Sequence, residues 1–316
     1  LLLATLGTAA AVKTGVKKPG VQIPMDRLKR ENTFSIPGSP DWLALGESVW
    51  VSNYPKNSVT RIDPKTNKIE AEVPVGKSPC SGLALAFDSL WVPNCGDRTL
   101  VRVDPKTNKI TATIATPIGD SEGGIAAGAE SIWLVTDKKG TLVRIDPATN
   151  LPVAEIALPA GSFTPAFGEG ALWVTCTEGN SLIRVNPANN LVVETIPVGK
   201  QPRFLAVGEG SVWVLNQGDG SVSRVDPKTN KVTNTIEVGV PGPGGDIAVG
   251  EGSVWVTSFE FPLSRIDPSR NEVVQQFKGA GGDALRVGSG AIWLTGLKEQ
   301  VLWRIDPKRI AATLPD

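Results

Sequence analysis

The sequence predicts an all-β protein, a seven-bladed β-propeller with four antiparallel strands per blade. Three observations carry this. A Trp recurs seven times, at Trp50, Trp91, Trp133, Trp173, Trp213, Trp255 and Trp293. An Arg-(Ile/Val)-(Asp/Asn)-Pro unit follows each Trp, with its Arg at Arg61, Arg102, Arg144, Arg184, Arg224, Arg265 and Arg304, so the period is 38 to 42 residues. No stretch keeps a helical period for more than about two turns. Self-similarity at this spacing, with four short strands in each copy, is the signature of propeller blades.

The fifth copy shows the strands in order. Phe204-Leu205-Ala206-Val207 is an apolar run of strand length, and Gly208-Glu209-Gly210 marks a turn. Ser211-Val212-Trp213-Val214-Leu215 is rich in β-branched and aromatic residues, and Asn216 to Gly220 is a second turn. Ser221 to Val225 alternates polar and apolar, as a half-buried strand does. Asp226-Pro227-Lys228-Thr229-Asn230 is a third turn: Pro pre-sets φ, Asp bonds the following backbone, and Asn tolerates the left-handed region. Lys231 to Val238 alternates again as the outermost strand.

The repeated residues read as scaffold. Seven Trp at one strand position suit packing between neighbouring blades. The Arg stem covers apolar surface, and the following Asp starts a turn. Closing the ring requires the two ends to meet. Thr33 to Gly38 resembles the last strand of a repeat but precedes the first one. Ile310 to Leu314 is a shortened rival at the other end, and the sequence leaves the choice between them open.

We divide the chain into an apolar segment 1–11, a linker 12–32 and a single propeller 33–316. Leu1 to Ala11 ends in Ala9-Ala10-Ala11, like the tail of a secretory signal, which points to a secreted, periplasmic or cell-surface protein. It is shorter than the about 20 residues of a membrane-spanning helix. Thirty-two basic and 32 acidic residues cancel, which argues against nucleic acid as the main partner. Counting outward from the turn near Phe87-Asp88 places Cys80 opposite Cys95, a plausible cross-strand disulfide in an oxidising compartment. Cys176 stands alone and reads as a small packed thiol.

The 316 residues include no His. That excludes Ser-His-Asp and Cys-His catalytic units, His-ligated zinc and His-ligated haem. No P-loop is present, and the glycines at 242, 244, 245, 279, 281 and 282 lie between blades with no helix to follow.

The repeated Trp-Val, Arg-Ile-Asp-Pro-x-Thr-Asn-Lys and Ile-x-Val-Gly motifs resemble the YVTN-type propeller repeats of secreted bacterial proteins. The chain is also similar to the virginiamycin B lyase (streptogramin lyase) group of seven-bladed propellers, over about residues 33 to 314. That resemblance implies a magnesium-assisted eliminative ring opening of a cyclic depsipeptide with a His base. No position here inherits the His. Lactonase-type propellers would instead imply a metal held by acidic and amide side chains about the axis.

The repeats disagree at the rim, and residues that depart from a shared scaffold are the candidates for function. Aligned on the Trp, one rim position is filled by Asp41, Ser81, Gly123, Phe163, Arg203, Gly245 and Asp283. The next holds Trp42, Gly82, Gly124, Thr164, Phe204, Asp246 and Ala284. Just inside, six copies carry Ala and the seventh carries Arg286. Asp41, Asp246 and Asp283 fall on consecutive blades of a closed ring. Two readings of them stand side by side. In one, Arg286 neutralises the carboxylates as a structural ion-pair network. In the other, Asp41, Asp246 and Asp283 hold a divalent cation, Ca or Mg, and Arg286 or Arg203 orients an anionic ligand. The sequence thus predicts a binding or scaffold module without catalysis, whose site is Asp41, Trp42, Arg203, Phe204, Asp246, Asp283 and Arg286, for a small molecule, peptide or protein. The alternatives are a metal-assisted lyase or lactonase, and a subunit of a larger extracellular assembly with residues 12–31 as a docking arm.

Overall fold

The computed structural model describes residues 16–308 apart from 117, 119–123, 240, 243 and 259. These residues form seven sheets, one per repeat. Blade 1 runs through Pro40–Leu45, Val49–Asn53, Ser58–Asp63 and Lys68–Pro74, all antiparallel. The fifth repeat forms strands at Pro202–Gly208, Ser211–Asn216, Ser221–Asp226 and Lys231–Glu237, close to the bounds its pattern predicts. Each innermost strand lies against the next, and that of blade 7, Leu285–Gly288, lies against that of blade 1. The ring is closed.

The N-terminal segment closes it. Asn32–Ser35 pairs antiparallel with Val301–Ile305 as the outer strand of blade 7, with Thr33 opposite Trp303. The rival at Ile310 to Leu314 lies outside the described residues, as do segment 1–11 and rim residue Gly123. The stretch expected as linker or docking arm is in part structured on its own propeller. Gln22–Pro24 adds a parallel strand to the edge of blade 6, and Met25–Arg27 is a short 3-10 turn. The reason is apolar: Ile23, Met25 and Leu28 bury themselves beside Trp255, Phe277 and Trp303.

The seven repeat Trp are fully buried and pack against the next blade, as Trp50 does on Leu90 and Val92. The repeat Arg does more than cover them. Each guanidinium stacks on the Trp of its own blade, for instance Arg144 at 4.8 Å from the Trp133 ring. Among the described residues six of the seven also reach the next blade, Arg265 being the exception. Arg144 Nη1 donates to the Pro187 carbonyl at 2.8 Å and to Asn190 Oδ1 at 3.0 Å. Arg304 makes the same bonds from blade 7 back to Pro64 and to Asn67, so the lock runs across the closure. The acceptor turns are shaped as their residues dictate: Asp63 Oδ1 accepts the Lys65 N–H at 2.7 Å, and Asn67 has φ of 55°. Close packing also explains the glycines that end the inner strands. A β-carbon at Gly128 would run into the Phe167 ring of the following blade.

Cys80 and Cys95 form a disulfide with Cα atoms 5.8 Å apart. The ladder slips beside it, so that Pro79 rather than Ser81 is directly opposite Asn94. Cys176 is buried, and its thiol donates to the Ala160 carbonyl at 3.3 Å.

Candidate binding site at the channel mouth

The rim residues sit where the innermost strands begin, and their placement has a local cause. In blades 1, 4, 6 and 7 a hydroxyl two residues after the repeat Trp takes over a ladder bond. Ser52, Thr175, Thr257 and Thr295 accept the N–H groups of Trp42, Thr164, Asp246 and Ala284 at 3.0, 3.1, 2.7 and 3.0 Å. The pairing is irregular there, between Pro40 and Leu43 and between Ser162 and Pro165. Two of these hydroxyls also bolt the next blade: Thr175 donates to the Arg203 carbonyl at 2.9 Å, and Thr257 donates to the Asp283 carbonyl. The other three blades carry Pro93, Val135 and Leu215 at this position, and that contrast is the sequence signal for the bolts.

Trp42 of blade 1 and Phe204 of blade 5 meet with ring centroids 5.6 Å apart. Those blades are not neighbours, so the two rings span the upper channel and plug it. Phe163 joins at 6.1 Å from Phe204. The Arg203 guanidinium lies 4.7 Å from the Phe163 ring and 5.5 Å from the Phe204 ring. Sequence alignment placed all four residues at the rim. That they form one stacked cluster is a tertiary result.

The charged residues divide. Asp246 is almost fully buried, and its carboxylate accepts from Arg286 Nη1 at 2.6 Å, from the Ile247 N–H at 2.8 Å and from the Leu285 N–H at 3.1 Å. Of the three carboxylates offered to Arg286 by the alignment, it takes this one. Arg286 stands opposite Trp293, the place that Ala44 fills opposite Trp50. Asp41 and Asp283 remain at the rim, enclosed by protein on most sides yet partly wetted. Loss of hydration, followed by repulsion from Asp283 and Asp246, pushes the Asp41 carboxyl up to about 8. Loss of hydration and Asp246 raise Asp283 to about 6, against the pull of a Gly245 N–H bond and of Arg203.

This donor set does not fit a divalent cation. Asp246 already serves a guanidinium and two amides. Among the described residues no three His, Cys, Asp or Glu side chains converge on a metal position. The expected Asp41, Asp246 and Asp283 triad is close enough to interact electrostatically, but it is not a ligand sphere.

The raised acids give the site a pH signature. Unfolded, a carboxyl ionises near 3.8; folded, Asp41 holds its proton until about 8. Between these values the native state binds protons that the unfolded chain releases. The stabilisation is complete below the unfolded value and is lost as pH rises through the folded one. Asp41→Asn cannot ionise and escapes that loss. We expect the variant to melt above wild type near about pH 8.5, by the equivalent of on the order of 2–3 kcal/mol after allowing for partial exposure. The gap should shrink near about pH 4.5 in parallel thermal melts. A gap that is the same at both pH values would mean Asp41 keeps an ordinary pKa.

Below the plug the channel is a cavity of about 370 Å³, lined by the inner strands together with Trp42, Phe204, Asp246 and Arg286. Beside the mouth a pocket of about 570 Å³ is bordered by Phe163, Arg203 and Gln217. A larger concavity of about 930 Å³ lies elsewhere, at the junction of blades 7 and 1, beside the short Gly46-Glu47 turn. Its Arg304 is committed to Glu31 at 3.2 Å and to the inter-blade lock.

Fold and site together define a class: a seven-bladed propeller with an aromatic and ionic cluster across one channel mouth. Among solved structures the chain is similar to streptogramin B lyase, with a TM-score of 0.72 and 18% identity over 86% of this chain and 96% of that one. It is equally similar to selenomethionine-substituted virginiamycin B lyase from Staphylococcus aureus, at TM-score 0.72, 18% identity, and 86% and 97% coverage. The same values hold for a catalytically inactive His-to-Ala form of that lyase with quinupristin. At this identity the likeness shows the fold alone. No family model matches the chain, and no curated protein matches it.

Proposed function

We propose that this protein is a non-catalytic binding module that takes a small molecule, or the end of a peptide, at the channel mouth. The observation that carries it is the cluster of Trp42, Phe204, Phe163 and Arg203, drawn from three blades onto one opening, with Asp41 and Asp283 beside it. Ligand sites are concave and largely apolar with a few placed polar groups, and this opening has that composition. The absence of His supports a role without lyase chemistry. In the similar virginiamycin B lyase a single His-to-Ala exchange is catalytically inactive, and this chain has no His to place there. The disulfide supports an oxidising location outside the cytosol. No helix among the described residues is long and apolar enough to cross a membrane.

A thermal-shift screen of small acids, amines, sugars and short peptides tests the reading. At least one class should raise the melting temperature of wild type, and the Arg203→Ala/Phe204→Ala variant should lose that response. Identical responses from both proteins would place binding elsewhere.

A further inference from the structure

The wall of the channel below the plug is polar and apolar in about equal measure: aliphatic and aromatic side chains such as Phe167 and Val249 line it together with hydrogen-bond donors that lack acceptors. Trp42 is 5% exposed, and its indole Nε1–H has no acceptor. Thr164 Oγ1 is likewise buried and unbonded. Arg286 spends only Nη1, on Asp246 and on its neighbour's carbonyl. Its Nε and Nη2 groups have no hydrogen-bond partner among the described residues. Six blades put Ala where Arg286 stands, so this guanidinium is a departure from the scaffold. Asp246 does not exhaust it, because that carboxylate also satisfies itself on the Ile247 and Leu285 amides. Trp42 Nε1 and Thr164 Oγ1 are buried donors whose lack of an acceptor costs stability, whereas the Arg286 side chain is 30% exposed and keeps its spare edge open to the channel.

We infer that the channel takes a small apolar carboxylic acid, with its carboxylate on the free edge of Arg286 and its hydrocarbon body against Phe204 and the aliphatic walls. The inference rests on the binding-module reading and names its ligand class. A guanidinium edge matches a carboxylate in bidentate fashion. A cavity of about 370 Å³ holds a molecule of that kind. The charged side chains that line this cavity are Arg286 and Asp246; Arg203, Asp283 and Asp41 stand at the rim above it. A bound carboxylate raises the two rim acids further, so it binds with proton uptake and more tightly at lower pH.

The test compares 3-phenylpropanoate, 3-phenylpropanamide and 3-phenylpropylamine by calorimetry and ligand-observed NMR, on the intact protein. The acid should bind at least tenfold more tightly than the amine, and more tightly near about pH 6 than near about pH 8. Arg286→Ala should weaken the acid at least tenfold. The Asp246→Ala/Arg286→Ala double variant, which leaves no lone charge behind, should do the same while melting cooperatively. If the amine binds as well as the acid, or if either variant binds the acid like wild type, the inference fails while the module reading stands. If none of the three binds, the inference also fails, and the Arg203/Phe204 screen decides the module reading separately.

Discussion

Removal of residues 1–36 is expected to abolish the native ring. The deletion takes away the outer strand of blade 7 and the added strand on blade 6. It also removes five buried apolar side chains. Phe34 and Ile36 pack with Leu43, Val51, Trp293 and Leu302 across the junction of blades 7 and 1. Ile23, Met25 and Leu28 pack with Trp255, Phe277 and Leu285. At roughly 1.5–3 kcal/mol per buried side chain, the loss is about 8–15 kcal/mol. The whole stability of a domain is about 5–15 kcal/mol. Two further ties go with it: Arg30 stacked 4.5 Å from the Trp303 ring, and Glu31 at 3.2 Å from Arg304. Near-ultraviolet circular dichroism and size-exclusion chromatography should report an expanded or aggregated chain without fixed Trp environments. A truncated protein that still melts cooperatively at the wild-type temperature would show that blade 7 needs no closing strand.

Asp246→Ala is expected to be the most damaging single substitution at the channel. It leaves the Arg286 guanidinium beside the axis without its carboxylate, and it strips the acceptor from the Ile247 and Leu285 amides. Breaking a buried pair from one side costs about 3–5 kcal/mol. For a propeller of this size that is a fall of roughly 10 °C in melting temperature. Arg286→Ala installs the residue that the other six blades carry and leaves Asp246 with two amide donors, so it should cost less, about 1–2 kcal/mol. The double variant should melt above Asp246→Ala, because it removes the orphaned charge. Additive effects in this four-protein cycle would mean that the 2.6 Å contact carries no coupling.

The two variants mark where the chain could be read in advance. The alignment on Trp50 to Trp293 predicted that Arg286 replaces an Ala and that Asp246 is near it, because the period fixes equivalent positions in every blade. It could not choose among Asp41, Asp246 and Asp283 as the partner. That choice follows from the ladder: the Thr257 hydroxyl holds the Asp246 amide at 2.7 Å and turns the carboxylate toward Leu285 and Arg286. The sequence pattern predicts that the repeat Arg cover apolar surface within a blade. Their bonds to the following blade are not legible in the pattern, because the acceptors lie 43 to 48 residues away, as with Arg184 to Pro227 and Arg102 to Asn150. One copy of the repeat shows the turn but not which neighbour it serves.

The sequence by itself determined the number of blades, the four strands of each, the Trp core and the rim positions that depart from the pattern. These follow from periodicity, since identical units stacked about an axis must bury identical faces. Only the tertiary structure decided which terminus closes the ring, that residues 16–32 include a strand docked on blade 6, and that Trp42 reaches Phe204 across the channel. Those contacts join blades that are far apart in the chain. What selects among them is burial and hydrogen bonding in the closed ring, and neither is defined until all seven blades are in place.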